Sequence, residues 1–119
     1  MIRILVVDDN AEFRRVFVGL LEEQPDLKVV GSAGSLAEAR TMLEGLDVAL
    51  LDRGLPDGDG LELMDELRGV NPGARVFVIS STAEMIHPRD AIEAGADGVI
   101  DKFDPPERVF AAIREQGGR

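Results

Sequence analysis

The sequence contains no cysteine, tryptophan or tyrosine and a single histidine. Without cysteine there can be no disulfide framework and no thiolate-ligated metal site. No apolar run approaches the roughly 20 residues that a helix needs to cross a bilayer. The N-terminus reads straight into a strand and lacks the charged region and cleavage site of a signal peptide, so a cytoplasmic setting is the default expectation. Basic residues are scarce, 13 against 23 acidic, for a formal net charge of −10. Such a field repels phosphate backbones and argues against direct nucleic-acid binding by this domain. Acidity on this scale ordinarily serves solubility, so no basic partner is read from it.

What is present suits one globular domain spanning residues 1–119. Hydrophobic residues make up 45% of the chain and charged residues 30%, ordinary values for a single core. Apolar runs of strand length alternate with amphipathic stretches of helix length. Strands are expected at Ile2 to Val7, Leu27 to Ala33, Val48 to Leu51, Arg75 to Ser80 and Gly98 to Ile100. Runs such as LVV, VALL and VFVI are continuously apolar, as in parallel strands covered on both faces.

The helices carry their own marks. Between Asn10 and Gln24, Phe13, Val16, Phe17, Leu20 and Leu21 form one apolar stripe, with Asn10 as cap and Pro25 as terminator. Ser35 and Glu38 have capping-box spacing and open a second helix toward Leu43. A third runs from about Gly60 to Val70 with Leu63, Met64 and Leu67 inward. A fourth ends at Gly95 and starts either at Pro88 or one turn earlier near Ala83. The motif DPPE announces a fifth, with Asp104 as cap, Pro105 first, Glu107 at the capping-box position, and Val109, Ala112 and Ile113 buried. The tail EQGGR reads as frayed. Strand followed by helix, five times over, gives a doubly wound parallel sheet through right-handed crossovers.

In such a sheet, sites lie beyond the carboxyl ends of the strands. Asp8 and Asp9 follow the first strand and Asp52 the third. Ser80 and Ser81 follow the fourth, and Lys102 the fifth. Any one of these alone is ordinary loop chemistry; together they aim three carboxylates, two hydroxyls and an ammonium at one edge. Carboxylates about 5 Å apart repel by about 3 kcal/mol per pair at an effective dielectric near 20. Either one keeps a proton or a cation sits among them. Oxygen donors with open positions suit magnesium. A hard cation, an ammonium and a hydroxyl are the equipment for stabilising a phosphoryl group, and a carboxylate beside them can accept it as an acyl phosphate.

VVDDN on the first strand, LLDRGLPDGDG around the third, VFVIS at the fourth and GADGVIDK at the fifth appear in that order. Over essentially its whole length the chain resembles a response-regulator receiver domain of two-component signalling. Ser80 and Lys102 are 22 positions apart, the spacing that family keeps between its hydroxyl and its lysine. The resemblance implies a flavodoxin-like fold of five parallel strands in the order 2-1-3-4-5. It makes Asp52 the acceptor of phosphate from the phosphohistidine of a sensor histidine kinase or phosphotransfer protein. Asp9, with Asp8 partly through water, would hold magnesium (or manganese) alongside Asp52 and the backbone carbonyl of Gly54. Ser80 and Lys102 would close on the phosphoryl group.

The resemblance further implies a signalling switch that assists only its own phosphorylation and autodephosphorylation. Its readout would be the surface of the fourth helix, fifth strand and fifth helix, which could serve a homodimer or an output domain. LKVVGSAG, from Leu27, is reminiscent of receivers that precede helix-turn-helix outputs. Several positions depart from the family pattern. Val99 stands where a switch aromatic is frequent, Phe103 where proline often follows the lysine, and Ser81 where a small residue such as alanine is common. Gly54 and Thr82, at the two rate-tuning positions, offer no acid or amide to orient an attacking water, so a long-lived phosphorylated state is expected.

Other readings of these residues fit less well. A magnesium phosphohydrolase would need a second general acid and a cap over its substrate. The intact set of Asp8, Asp9, Asp52, Ser80 and Lys102 argues against a degenerate module that binds without phosphorylation, an alternative that Val99 keeps open. A flavin site would need a phosphate-cradling loop where DDNAE stands. In DGDG, Glu62 occupies the place where a calcium loop requires glycine, so Asp57 and Asp59 are expected as turn and cap residues. His87, beside Pro88, is expected as a capping or solvent residue.

Overall fold

The computed structural model describes residues 1–80 and 88–117. Five strands, β1 (Ile2–Val7), β2 (Leu27–Ala33), β3 (Val48–Asp52), β4 (Arg75–Ser80) and β5 (Gly98–Asp101), alternate with α1 (Ala11–Glu22), α2 (Leu36–Ala39), α3 (Leu63–Val70), α4 (Pro88–Glu93) and α5 (Pro106–Gly117). All strand pairs are parallel, in the order β2-β1-β3-β4-β5.

Each strand feeds two cores at once. Ile4 and Val6 of β1, Val48 and Leu50 of β3, Phe77 and Ile79 of β4 and Ile100 of β5 pack with Phe17, Leu21, Val109 and Ile113 of α1 and α5. Leu5 and Val7, Ala49 and Leu51, and Val76 and Val78 point the other way, toward Leu36, Leu63, Met64, Leu67 and Ala91 of α2, α3 and α4. With side chains alternating at period two and helices on both faces, every position of the central strands β1, β3 and β4 is buried except Arg3 and Arg75 near their starts. That is why these strands read as unbroken apolar runs. At the β2 edge the register with β1 slips between Ile4 and Leu5, so that Leu5 pairs with Gly31 and Val30 is passed over.

Five local expectations are corrected. The second helix stops at Ala39 instead of reaching Leu43, because the Thr41 hydroxyl and amide both turn back to the Glu38 carbonyl. Its capping box is displaced as well: Ser35 caps Glu38 N, but the Glu38 carboxylate accepts from Gly34 N, one residue outside the box. The fifth helix begins at Pro106, not Pro105, since the Asp104 carboxylate accepts from Asp101 N; it then runs through Gly117, so EQG is helical rather than frayed. Val16, placed in the apolar stripe of α1 that should face the core, is 48% exposed. The alternative start of α4 near Ala83 lies outside the described residues.

Candidate functional site

Parallel register decides what reaches the carboxyl edge of the sheet. Val7 pairs with Leu51, Asp52 with Ile79, and Ser80 with Asp101. Asp8, Asp52, Ser80 and Lys102 therefore emerge from four adjacent strand ends. Asp8, Asp52 and Ser80 are the buried polar or charged residues among those described. Carboxylate oxygens of Asp8, Asp9 and Asp52 lie within 4.8 Å of one another, with Asp9 exposed.

Local structure fixes each carboxylate. The Asp8 amide continues the β1 ladder to Ala33 O at 3.0 Å. Its Oδ1 accepts from Asn10 N at 2.9 Å, and Asn10 in turn caps α1 through Phe13 N at 3.0 Å. Asp8 Oδ2 is buried without a hydrogen bond. The Lys102 ammonium stands 2.9 Å from it as an ionic neighbour and 3.5 Å from Asp52 Oδ2. Asp52 Oδ1 accepts from Gly54 N at 3.1 Å. Lys102 N donates to Ser80 O at 2.8 Å, which carries the β4–β5 pairing into the site.

The loop after Asp52 is drawn tight. Leu55 and Gly58 bond each other's backbones at 3.2 and 3.4 Å, and Gly60 N reaches Arg53 O at 3.3 Å. A Cβ on Gly60 would lie 2.1 Å from the Asp52 carbonyl oxygen, so only glycine admits this approach. Asp59 closes a capping box with Glu62, as a turn-and-cap reading expects.

Sequence reasoning missed two residues, Arg53 and Arg14, and the partner of a third, Asp57. Arg53 pairs with Asp59 at 2.9 Å across the loop, which pushes the guanidinium further up from its usual range. Arg14 donates to the Asp8 carbonyl; its place four residues after the Asn10 cap was the available signal. Asp57 reaches across the fold to accept from Leu36 N and Ala37 N at 2.8 and 3.0 Å. Those bonds hold its carboxyl below the usual aspartate range. No local pattern pairs Asp57 with a helix some twenty residues earlier.

Val99 is half-buried against the core under α2, α3 and α4. Phe103 is 79% exposed, beside Lys102. Ser81, Thr82 and His87 lie outside the described residues. No helix among the described residues is long and apolar enough to cross a membrane.

Fold and edge together define a CheY-like, doubly wound α/β domain with an acidic site at its strand ends. The family described as "Response regulator receiver domain" matches residues 4–114, and the chain belongs to that family. It is 39% identical over 119 residues to the DNA-binding transcriptional activator DevR/DosR of Mycobacterium tuberculosis, covering 98% of this chain and 55% of the relative. It is 38% identical over 106 residues to a protein-glutamate methylesterase/protein-glutamine glutaminase of Caulobacter vibrioides, covering 85% and 30%. Among solved structures, a CheY-like receiver domain protein from Methanospirillum hungatei superposes with a TM-score of 0.84 at 28% identity, covering 99% of this chain and 94% of that one. The response regulator domain of Thermotoga maritima CheB gives 0.83 at 29% identity, covering 100% and 98%. The chain spans about half the length of DevR/DosR and less than a third of the methylesterase.

Proposed function

We propose that the chain is a phosphorylation-operated switch in which Asp52 takes a phosphoryl group from the phosphohistidine of a sensor kinase or phosphotransfer protein. The observation that carries this reading is the approach of the Asp8, Asp9 and Asp52 carboxylates within 4.8 Å, with the Lys102 ammonium beside two of them.

The donor set fits magnesium or manganese. All donors are oxygens, and Asp8 Oδ2 is buried without a hydrogen bond, where a hard cation would satisfy it. Asp9, Asp8, Asp52 and the Gly54 carbonyl would hold the ion. When bound, it neutralises the carboxylates and offsets charge on phosphoryl oxygens.

An Asp52 oxygen forms the new O–P bond as the N–P bond of the phosphohistidine breaks, and that electron pair stays on the imidazole nitrogen. The Gly54 amide fixes the rotamer of the attacking carboxylate. Lys102 supplies positive charge to the developing oxygens, and the Ser80 hydroxyl offers a hydrogen bond to one of them. Differential contact of the phosphoryl group with two arrangements of Ser80 and Lys102 then shifts the population of the α4–β5–α5 surface.

That surface would engage an output domain or a second copy of the chain. DevR/DosR is named as a DNA-binding activator and the Caulobacter relative as a methylesterase, each longer than this chain. By analogy, this chain would be the regulatory part of a longer cytoplasmic protein, turning over no external substrate. The test is incubation with a small phosphodonor and magnesium, read by intact mass. One added phosphate, lost in Asp52→Asn, is expected. No gain by the native chain, or a gain surviving in Asp52→Asn, overturns the reading.

A further inference from the structure

Phe13 belongs to the apolar stripe of α1, yet its ring does more than fill the core. The ring centroid lies 4.8 Å from Lys102 Nζ, within the reach of a cation–π attraction. Phe17, itself buried, stacks against Phe13 at 5.2 Å with an interplanar angle of 21°, which holds the ring in place.

A lysine stem has four rotatable bonds, and here it has somewhere else to go. A cavity of about 230 Å³ opens between α1 and α5, lined by Phe13, Ile100, Lys102, Val109 and Phe110, with Asp101 and Asp104 also on its wall. Asp101 already accepts from Phe103 N and Asp104 from Asp101 N, yet their negative charge still offers the ammonium a second attraction on this side. The Phe13 face tips the balance toward Asp8 and Asp52. We propose that Phe13 is the positioning residue for Lys102, keeping its ammonium at the carboxylate edge where a phosphoryl group would arrive. This rests on Lys102 being the phosphoryl-binding cation.

Lys28 and Lys102 are the only lysines in the chain, so a lysine-labelled sample gives two readily separated side-chain signals by NMR. Ring-current shielding should move the Lys102 ε-methylene upfield of that of Lys28. Phe13→Leu, which keeps the apolar volume and removes the π face, should abolish the displacement; Phe13→Tyr should keep it. Phosphorylation by a small phosphodonor should slow about tenfold in Phe13→Leu and stay within about twofold of native in Phe13→Tyr. A purely packing role would not separate leucine from tyrosine in this way. Should Phe13→Leu fail to fold, the native Lys102 shift still decides. An unshifted Lys102 methylene, or native-rate phosphorylation of Phe13→Leu, overturns the proposal. If the native chain takes no phosphate at all, the reading of Asp52 falls, and the NMR arm still decides the placement of Phe13.

Discussion

Lys102 stands nearer to Asp8 than to Asp52, at 2.9 against 3.5 Å. Of these two carboxylates, the nearer is the one whose second oxygen has no hydrogen bond. Lys102→Met should leave buried carboxylates without that ammonium, at a cost of about 3 kcal/mol in metal-free denaturant unfolding. The same variant should bind magnesium more tightly by titration calorimetry, because the ion no longer competes with an ammonium for Asp8.

Asp9 is exposed and makes no ion pair among the described contacts. Asp9→Asn removes repulsion without breaking a bridge, so it should raise the metal-free unfolding free energy, by under about 1 kcal/mol given its solvent screening. Magnesium should stabilise the native chain through binding and stabilise this variant much less. Equal magnesium responses in both proteins would remove Asp9 from the ligand set.

Gly60→Ala forces a Cβ to within 2.1 Å of the Asp52 carbonyl oxygen, where only backbone movement can relieve the overlap. A loss of about 3 kcal/mol is expected. Phosphorylation should also fall, because the strand end carrying Asp52 must shift. Gly69→Ala, at a position where an added Cβ meets nothing within 4 Å, is the control and should be neutral or slightly stabilising.

Asp57 titrates below the usual aspartate range because Leu36 N and Ala37 N donate to it. Its folded value lies under its unfolded one, so its contribution is complete above the unfolded aspartate range and is lost as pH falls through the folded value. The amide resonances of Leu36 and Ala37 should move together with one midpoint below that range, and Asp57→Asn should flatten both curves.

Gly54 brings no side chain to Asp52, the proposed phosphoacceptor. The aspartyl phosphate should be long-lived in magnesium, and Gly54→Asn, which can orient a water, should shorten its half-life several-fold. Phosphate release by the purified phosphoprotein measures both.

The layered fold was readable because parallel strands buried on both faces must be apolar throughout, and the run VALL, from Val48 to Leu51, obeys that rule. Asp8, Asp52 and Lys102 were readable because topology alone carries strand ends to one edge. Side-chain choices between near-equal partners were not. Glu38 could serve Ser35 or Gly34, and Asp104 could serve α5 or Asp101; in each case the unforeseen option prevailed. The Asp57 bond to α2 and the Lys102 preference for Asp8 depend on distances between elements far apart in the chain.

The stacked pair Phe13 and Phe17 has an optical consequence. With no tryptophan or tyrosine in the chain, the protein is nearly dark to excitation at the red edge of protein absorbance. A Phe13→Trp variant would place a solitary emitter beside Lys102. Its colour and brightness would then follow the electrostatics of the carboxylate edge, uncontaminated by any other indole.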